Sequence, residues 1–298
     1  MKSKYFKRKG EVKSMFLPRK ILEEKLQRIL AEDVGQGDIT TALAVPPEKI
    51  VGAQIIMKES GVAAGIEETK TLLEGLGLKV EALVADGANV KAGQVLMKIS
   101  GDARTILTAE RTVLNILSRM SGIATATRRL VEEIRKAKLK TKVACTRKTA
   151  PGLLYFDKKA VWIGGGDTHR FHLDDMVLIK DNHIAVAGSI KEAIAKAKKG
   201  ASFGKKIEVE VSRIEDVLVA AKSGADIIML DNFTPEKIRK VVELLKKKGF
   251  YGKVILEASG GITTKNFMEF VLTGVDVISL GEITASPKTL DISLEIVK

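Results

Sequence analysis

The sequence predicts an α/β protein, an incomplete (β/α) barrel preceded by a smaller α+β domain. From about residue 140 one unit repeats: an apolar strand, a polar strand end and a helix. Strand starts lie roughly 20–30 residues apart, the spacing of βα units in a parallel sheet. The strands are short and almost wholly apolar, which means burial on both faces. These features fit a barrel or a doubly wound sheet. The strand ends favour the barrel. Nearly every one finishes in a polar residue or glycine, as a ring of active-site positions requires, whereas a doubly wound sheet uses only the strands at its switch point. No G-x-G-x-x-G follows a first strand, and only six or seven strands can be counted.

The elements follow in order. Residues 1–14 read as a basic, flexible arm, and residues 15–110 as the smaller domain. That domain opens with a helix near 18–31, followed by the segment EDVGQGDITT. Strands follow at 51–60, 79–85 and 94–100. Turns at Asp86-Gly87 and Lys91-Ala92-Gly93 imply a mostly antiparallel sheet. A long helix, about 108–136, links it to the barrel, burying Val113, Leu114 and Leu117 while presenting Arg111 and Asn115. The barrel, residues 111–287 with that helix, has strands at 140–145, 175–180, 206–211, 225–230, 253–259 and 275–280. Its helices lie at 189–200, 212–224, 234–249 and 263–274, each opening with a capping Ser or Thr and closing at glycine. The tail LDISLEIVK alternates apolar and polar residues, so 288–298 is expected to return to the first domain as a strand.

Composition narrows the function classes. At 298 residues and 45% apolar content the chain can bury a normal core, and 4% aromatics makes that core aliphatic, as parallel strands favour. The net charge of +13 suggests nucleic acid until it is located: residues 1–20 carry eight Lys/Arg against Glu11, leaving +6 for the rest. That remainder suits an enzyme of anionic substrates. Pro18-Arg19-Lys20 interrupts the short apolar run at the start, so no secretory signal is expected, and no run has membrane-spanning length. The single cysteine, Cys145, excludes an internal disulfide and a Cys-based zinc cluster, and the protein reads as cytoplasmic. Beside Arg147 and Lys148, Cys145 is either a reactive thiol or a small residue ending a strand; the second reading is favoured.

Between Arg147 and Lys180 the chain concentrates Arg147, Lys148, His169, Arg170 and Lys180 at expected strand ends and turns around Gly164-Gly165-Gly166. Cations on turns can converge on one point, which a substrate with several carboxylates or phosphates needs. Glu210 and Asp231 end adjacent strands. They are either ion-pair partners for Lys180 and Arg170, or ligands of a Mg²⁺ chelated by a diphosphate and stabilisers of a positive sugar carbon. Glu208 shares the face of Glu210 but sits deeper. Ser259-Gly260-Gly261, ahead of an expected helix start, reads as a phosphate cradle, and Ser279-Leu280-Gly281 could serve likewise. His172 and His183 read as packing or loop histidines. No nucleophile–base pair or metal triad is evident, so catalysis would rest on positioning and electrostatics.

In this order, TRKTAPG, GGG-x-x-HR, LIKDNH, EVEV, MLDN and ASGGI resemble quinolinate phosphoribosyltransferase, as do EDVGQGDITT and AERTVLNILSRMSGIAT. The resemblance covers roughly residues 18–298. It implies conversion of quinolinate and 5-phosphoribosyl 1-diphosphate to nicotinate mononucleotide, CO₂ and diphosphate, with Mg²⁺, in NAD biosynthesis. It implies an open-faced sandwich before an incomplete barrel, in a homodimer with shared sites and room for dimers to assemble further. Carried over, Thr146, Arg147, Lys148, His169, Arg170 and Lys180 would bind the quinolinate carboxylates and the diphosphate. Arg111 would enter from the other subunit. Glu210 and Asp231 would face ribose and Mg²⁺, and Ser259, Gly260, Gly261, Ser279, Leu280 and Gly281 would bind the 5′-phosphate. Lys148, Lys180, Glu210 and Asp231 would be the catalytic set. Cys145 stands where the family often has Asp, and Thr168 where it often has Asn; the arm over 1–14 has no counterpart.

Rival readings are a family member with another substrate, such as the homologue associated with molybdate transport, nicotinate phosphoribosyltransferase, and a nucleic-acid-binding protein. The last would spread its cations over a face with stacking aromatics. Deleting residues 1–14 is therefore expected to leave turnover nearly unchanged and to weaken nucleic-acid binding sharply. A truncated protein that binds nucleic acid as well as the full chain would show that the excess charge acts elsewhere.

Overall fold

A computed structural model describes residues 17–297; the basic arm expected over 1–14 lies outside them. The chain divides into two units, one running to Thr125 and resuming at Lys288, the other spanning Ala126–Pro287.

In the first unit α1 (Arg19–Val34) and α2 (Ile39–Ala44) precede β1 (Ile50–Met57), β2 (Gly61–Val62), α3 (Ile66–Gly75), β3 (Lys79–Ala82), β4 (Asn89–Val90) and β5 (Val95–Asp102). The long helix α4, Ala103–Lys136, starts earlier than the sequence suggests because Asp102 caps it, accepting from Thr105 N at 2.8 Å. The antiparallel sheet is completed by the last strand of the chain (Ile292–Val297), which pairs with β1 on the side away from β5, while β3 flanks β5. Alternation along β1 buries Ala53, Ile55 and Met57. Helix α1 buries Leu22, Leu26 and Leu30, one stripe at a spacing of four, and packs on α3, which covers β3. Helix α3 opens at Gly65 with no side-chain cap of its own; Asp86, twenty residues on, accepts from Ile66 N at 2.9 Å.

In the second unit the order is β6 (Lys142–Cys145), α5 (Leu154–Gly164), β7 (Val177–Ile179), α6 (Asp181–Ala187), α7 (Ile190–Gly200), β8 (Ile207–Val211) and α8 (Ile214–Ser223). Then come β9 (Ile227–Asp231), α9 (Pro235–Lys248), β10 (Ile255–Ser259), α10 (Phe267–Val271), β11 (Val277–Leu280) and α11 (Glu282–Ala285); the C-terminal strand is β12. The six strands are parallel in the order β6-β11-β10-β9-β8-β7. The ring does not close. Beside β6 a single parallel bridge, Ala144 to Asp167, stands where another strand would lie, and the chain then leaves through His169 and Arg170. This is the incomplete barrel expected.

Two helix caps differ from expectation. Ser189 and Thr234 cap α7 and α9 as their positions suggest. Helix α8 starts behind Arg213 rather than Ser212; Arg213 instead pairs with Asp216 at 2.8 Å. Helix α10 begins only at Phe267, because Asn266 Oδ1 accepts from Thr263 N at 2.7 Å and holds a turn there. Left-handed Gly224 and Gly249 end α8 and α9, whereas Gly200 is still helical and α10 stops at Val271, ahead of Gly274.

Gly122 on α4 faces the carbonyl of Lys288, and any Cβ there would stand 2.0 Å from that oxygen, far inside van der Waals contact. Gly75 at the end of α3 has open space around it. Alanine gains about 1 kcal/mol over glycine in a helix, but overpacking against backbone costs about 1–3 kcal/mol. Gly122→Ala is expected to lower the unfolding free energy while Gly75→Ala raises it slightly. Equal stabilisation by both in denaturant titrations would show that the 288–290 segment yields freely.

Candidate active site

Parallel register brings all six strand ends to one edge. Asp231 lies opposite Ser259 and Leu280 opposite Cys145. Each strand end contributes to a cleft of about 780 Å³, at the C-terminal face where barrel sites lie. Lys180 follows β7, Glu210 lies in β8, Asp231 closes β9 and Ser259 closes β10. The cleft also includes Thr146, Arg147, Lys148, His169, Arg170, Gly260, Gly261, Ser279 and Gly281. Two residues suggested by sequence do not line it. Leu280 is fully buried, its side chain turned away from Ser279 and Gly281. Arg111 is exposed on α4 in the first unit.

Positive charge is under-compensated. Lys180 Nζ meets Glu210 Oε2 at 2.6 Å, the ion pair the simpler reading of Glu210 expects. Asp231 accepts from the side-chain amide of Asn232 at 2.8 Å and makes no ion pair with Arg170. Among the described residues Arg147, Lys148 and Arg170 have no carboxylate within ion-pair distance. Burial, then repulsion from Arg147, holds the Arg170 guanidinium below its usual range, with Glu208 acting in the opposite direction. Two guanidiniums held this close without a counter-ion favour an anionic ligand.

The other side of the cleft is backbone. Gly260 has φ 82° and Gly261 φ 65°. A Cβ on Gly260 would collide with Asn232, whose backbone N would be 2.8 Å away. Their N–H groups find no acceptor among the described residues. The expected continuation into a helix start is corrected: Thr263 N–H is taken by Asn266 and Thr264 N–H by Glu282 at 2.7 Å. What remains is the glycine turn beside Ser259, whose hydroxyl accepts from Ser279 Oγ at 2.9 Å. Lys148 crosses Gly281, its Cδ 3.1 Å from where a Cβ would stand.

His169 sits at φ 50°, unusual for a non-glycine residue. Its Nε2 lies 3.3 Å from both Glu208 and Glu257, which are buried. Burial opposes a charged ring, but Glu208 and then Glu257 outweigh it and draw the His169 pKa up to about 10. A second ring proton would, however, point at the Arg170 N–H that donates to Nδ1 at 2.8 Å. With Nδ1 accepting that bond, the ring proton sits on Nε2, facing the carboxylates, and burial pushes the Glu208 carboxyl up. Cys145 is buried, and burial raises its thiol pKa against the pull of Lys158, whose ammonium is 3.7 Å away. It is a strand-closing residue, not a thiolate. His183 caps α6, its Nδ1 accepting from Lys180 N at 3.0 Å.

Glu257, Asn232 and Glu282 line the cleft without having been singled out in the sequence. Glu257 did carry a signal: a charge inside the apolar strand KVILEAS must find a partner.

Comparison with known proteins agrees with this geometry. The family model for the N-terminal domain of quinolinate phosphoribosyl transferase matches residues 38–121, and that for its C-terminal domain residues 123–295. A Methanothermobacter thermautotrophicus protein named as a probable nicotinate-nucleotide pyrophosphorylase (carboxylating) is 45% identical, over 91% of this chain and 97% of its own length. The rat nicotinate-nucleotide pyrophosphorylase (carboxylating) is 39% identical, over 80% of this chain and 79% of its own. The solved structure of the Francisella tularensis nicotinate-nucleotide pyrophosphorylase superposes with a TM-score of 0.84 at 38% identity, covering 97% of this chain and all of that one. Matched in both of its domains and along nearly its whole length, the chain belongs to the quinolinate phosphoribosyl transferase family.

Proposed function

We propose that the chain transfers the phosphoribosyl group of 5-phosphoribosyl 1-diphosphate to the ring nitrogen of quinolinate, yielding nicotinate mononucleotide, CO₂ and diphosphate for NAD biosynthesis. The observation that carries this reading is the trio of uncompensated cations, Arg147, Lys148 and Arg170, in one cleft with a glycine turn of free N–H groups. Both substrates are polyanions, and charge-assisted hydrogen bonds to fixed guanidiniums are strong. In this reading the cations bind the quinolinate carboxylates and the diphosphate. Gly260, Gly261, Ser259 and Ser279 receive the 5′-phosphate.

As the bond from the sugar carbon to diphosphate loosens, positive charge develops on the ribose, as in glycoside cleavage. Glu210 and Asp231, at the ends of adjacent strands, stabilise it electrostatically. Lys148 and Lys180 oppose the negative charge growing on the leaving diphosphate. Once the ring nitrogen is alkylated, its positive charge stabilises the electron pair left on the adjacent ring carbon as CO₂ departs, and a proton from solvent then completes the C–H bond. Mg²⁺ is the proposed cofactor. Asp231 and Glu210 offer hard oxygen donors, and Asp231 has no cation paired with it among the described residues. Together with substrate phosphates they would hold the ion, which would neutralise part of the diphosphate charge. Among the described residues no helix is long and apolar enough to cross a membrane. The buried lone cysteine supports a reducing, cytoplasmic setting.

The deciding assay supplies phosphoribosyl diphosphate with quinolinate or nicotinate and follows nucleotide and CO₂. Equimolar CO₂ with quinolinate supports the reading; turnover of nicotinate alone overturns it. Arg147→Ala, Arg170→Ala and Lys180→Ala should each reduce turnover on the order of 10²–10³-fold with the fold intact by circular dichroism, since losing one charged contact in a desolvated site costs roughly 2–4 kcal/mol. Near-normal turnover in all three would remove the basis of the site.

We also propose a homodimer in which Arg111 of the partner subunit completes each site. Refolding Arg111→Ala together with Lys180→Ala should make about half the dimers mixed, each with one intact and one doubly damaged site. About a quarter of normal activity should return, although neither variant is active alone. Mixed dimers verified by tag pull-down but lacking activity would confine Arg111 to its own subunit.

A further inference from the structure

Glu208 and Glu257 lie on β8 and β10, with β9 between them. Strands two apart in a sheet are separated by about 10 Å, yet both carboxylates reach one ring nitrogen, His169 Nε2, at 3.3 Å. On the ring's other edge Nδ1 accepts from the backbone N–H of Arg170. The His169 N–H is itself held by Asp167 Oδ1 at 2.9 Å, and Asp167 forms the rudimentary strand beside β6. Nδ1 is thus hydrogen-bonded, while Nε2 lies 3.3 Å from both buried carboxylates without meeting hydrogen-bond geometry. A left-handed backbone at a histidine persists only where surrounding contacts over-determine it.

We propose that Glu208 and Glu257 are positioning residues that clamp the His169 ring and, through its Nδ1, aim Arg170 into the cleft. His169 then acts by holding its neighbour, not by donating to substrate. The inference rests on the proposed function only for the identity of the anion that Arg170 meets. The three ligand atoms lie within 4.8 Å of one another and by donor type could bind a metal ion. A metal-bound histidine normally presents an unprotonated nitrogen to the ion and donates through the other. Here Nδ1 is the acceptor, so Nε2 carries the proton and faces the carboxylates.

The chain has three histidines, His169, His172 and His183, so ¹⁵N-imidazole NMR of the ligand-free protein can be assigned with a His169→Gln comparison. Wild type should show His169 with Nδ1 unprotonated and Nε2 protonated. An unprotonated Nε2, or a ring signal displaced by added Zn²⁺, would overturn the clamp. In kinetics, Glu257→Leu removes an acceptor and should lower kcat/KM about tenfold to a hundredfold, the worth of one misdirected charged contact. Glu257→Gln, which keeps an acceptor oxygen, should recover most of that loss. In an Arg170→Ala background, Glu257→Leu should add less than about threefold, because the two changes act on one contact. Equal losses in both backgrounds would make Glu257 merely structural. If wild type fails to bind quinolinate in calorimetry, the functional reading falls while the NMR result still decides the clamp. If Glu257→Leu does not fold, the wild-type spectrum and Glu257→Gln carry the test.

Discussion

Asp231 stands opposite Ser259, and Glu210 opposite Met229, because β8, β9 and β10 run parallel and in register. That register is the constraint on which the rest depends. A parallel sheet must return to its starting edge between strands, so every polar strand end emerges on one side. Residues far apart in sequence, such as Arg147 and Asp231, then share a cleft without any one loop having to bring them together. The apolar strands behind them, buried on both faces, keep the positions rigid.

The open barrel places its irregularity where the site needs it. Between Asp167 and β7 the chain makes no ladder, and there His169 and Arg170 turn toward the cleft. Left-handed His169 and the exposed, left-handed Asn232 concentrate backbone strain beside the ligand-facing residues. The cleft also keeps Arg147 and Arg170 in mutual repulsion. Such an arrangement lowers stability in the free protein and is relieved by an anion, so binding and ordering of the site are linked.

Much of the second unit was legible in the sequence. Its six strands were readable because burial makes each a short, mostly apolar run, interrupted only by Glu208 in β8 and Glu257 in β10 before their polar ends, which marked the cleft. Helix starts were less so: Ser189 and Thr234 cap as a local rule expects, but Arg213 prefers Asp216, and Asn266 draws Thr263 into a turn. Helix α3 lacked a local capping side chain, since its cap, Asp86, arrives from across the first unit.

Periodicity and strand-end chemistry are local properties of the chain, so the parallel repeat, the family and the residue types that face the cleft were readable from residue order. Tertiary structure alone decided which charges are compensated. Lys180 is neutralised by Glu210 while Arg147 is not, and Leu280 turns inward while its neighbours Ser279 and Gly281 line the cleft. It alone revealed that Glu257 and Glu208 meet at His169. Pairing depends on distances between strand ends, and those exist only once the sheet has set its register.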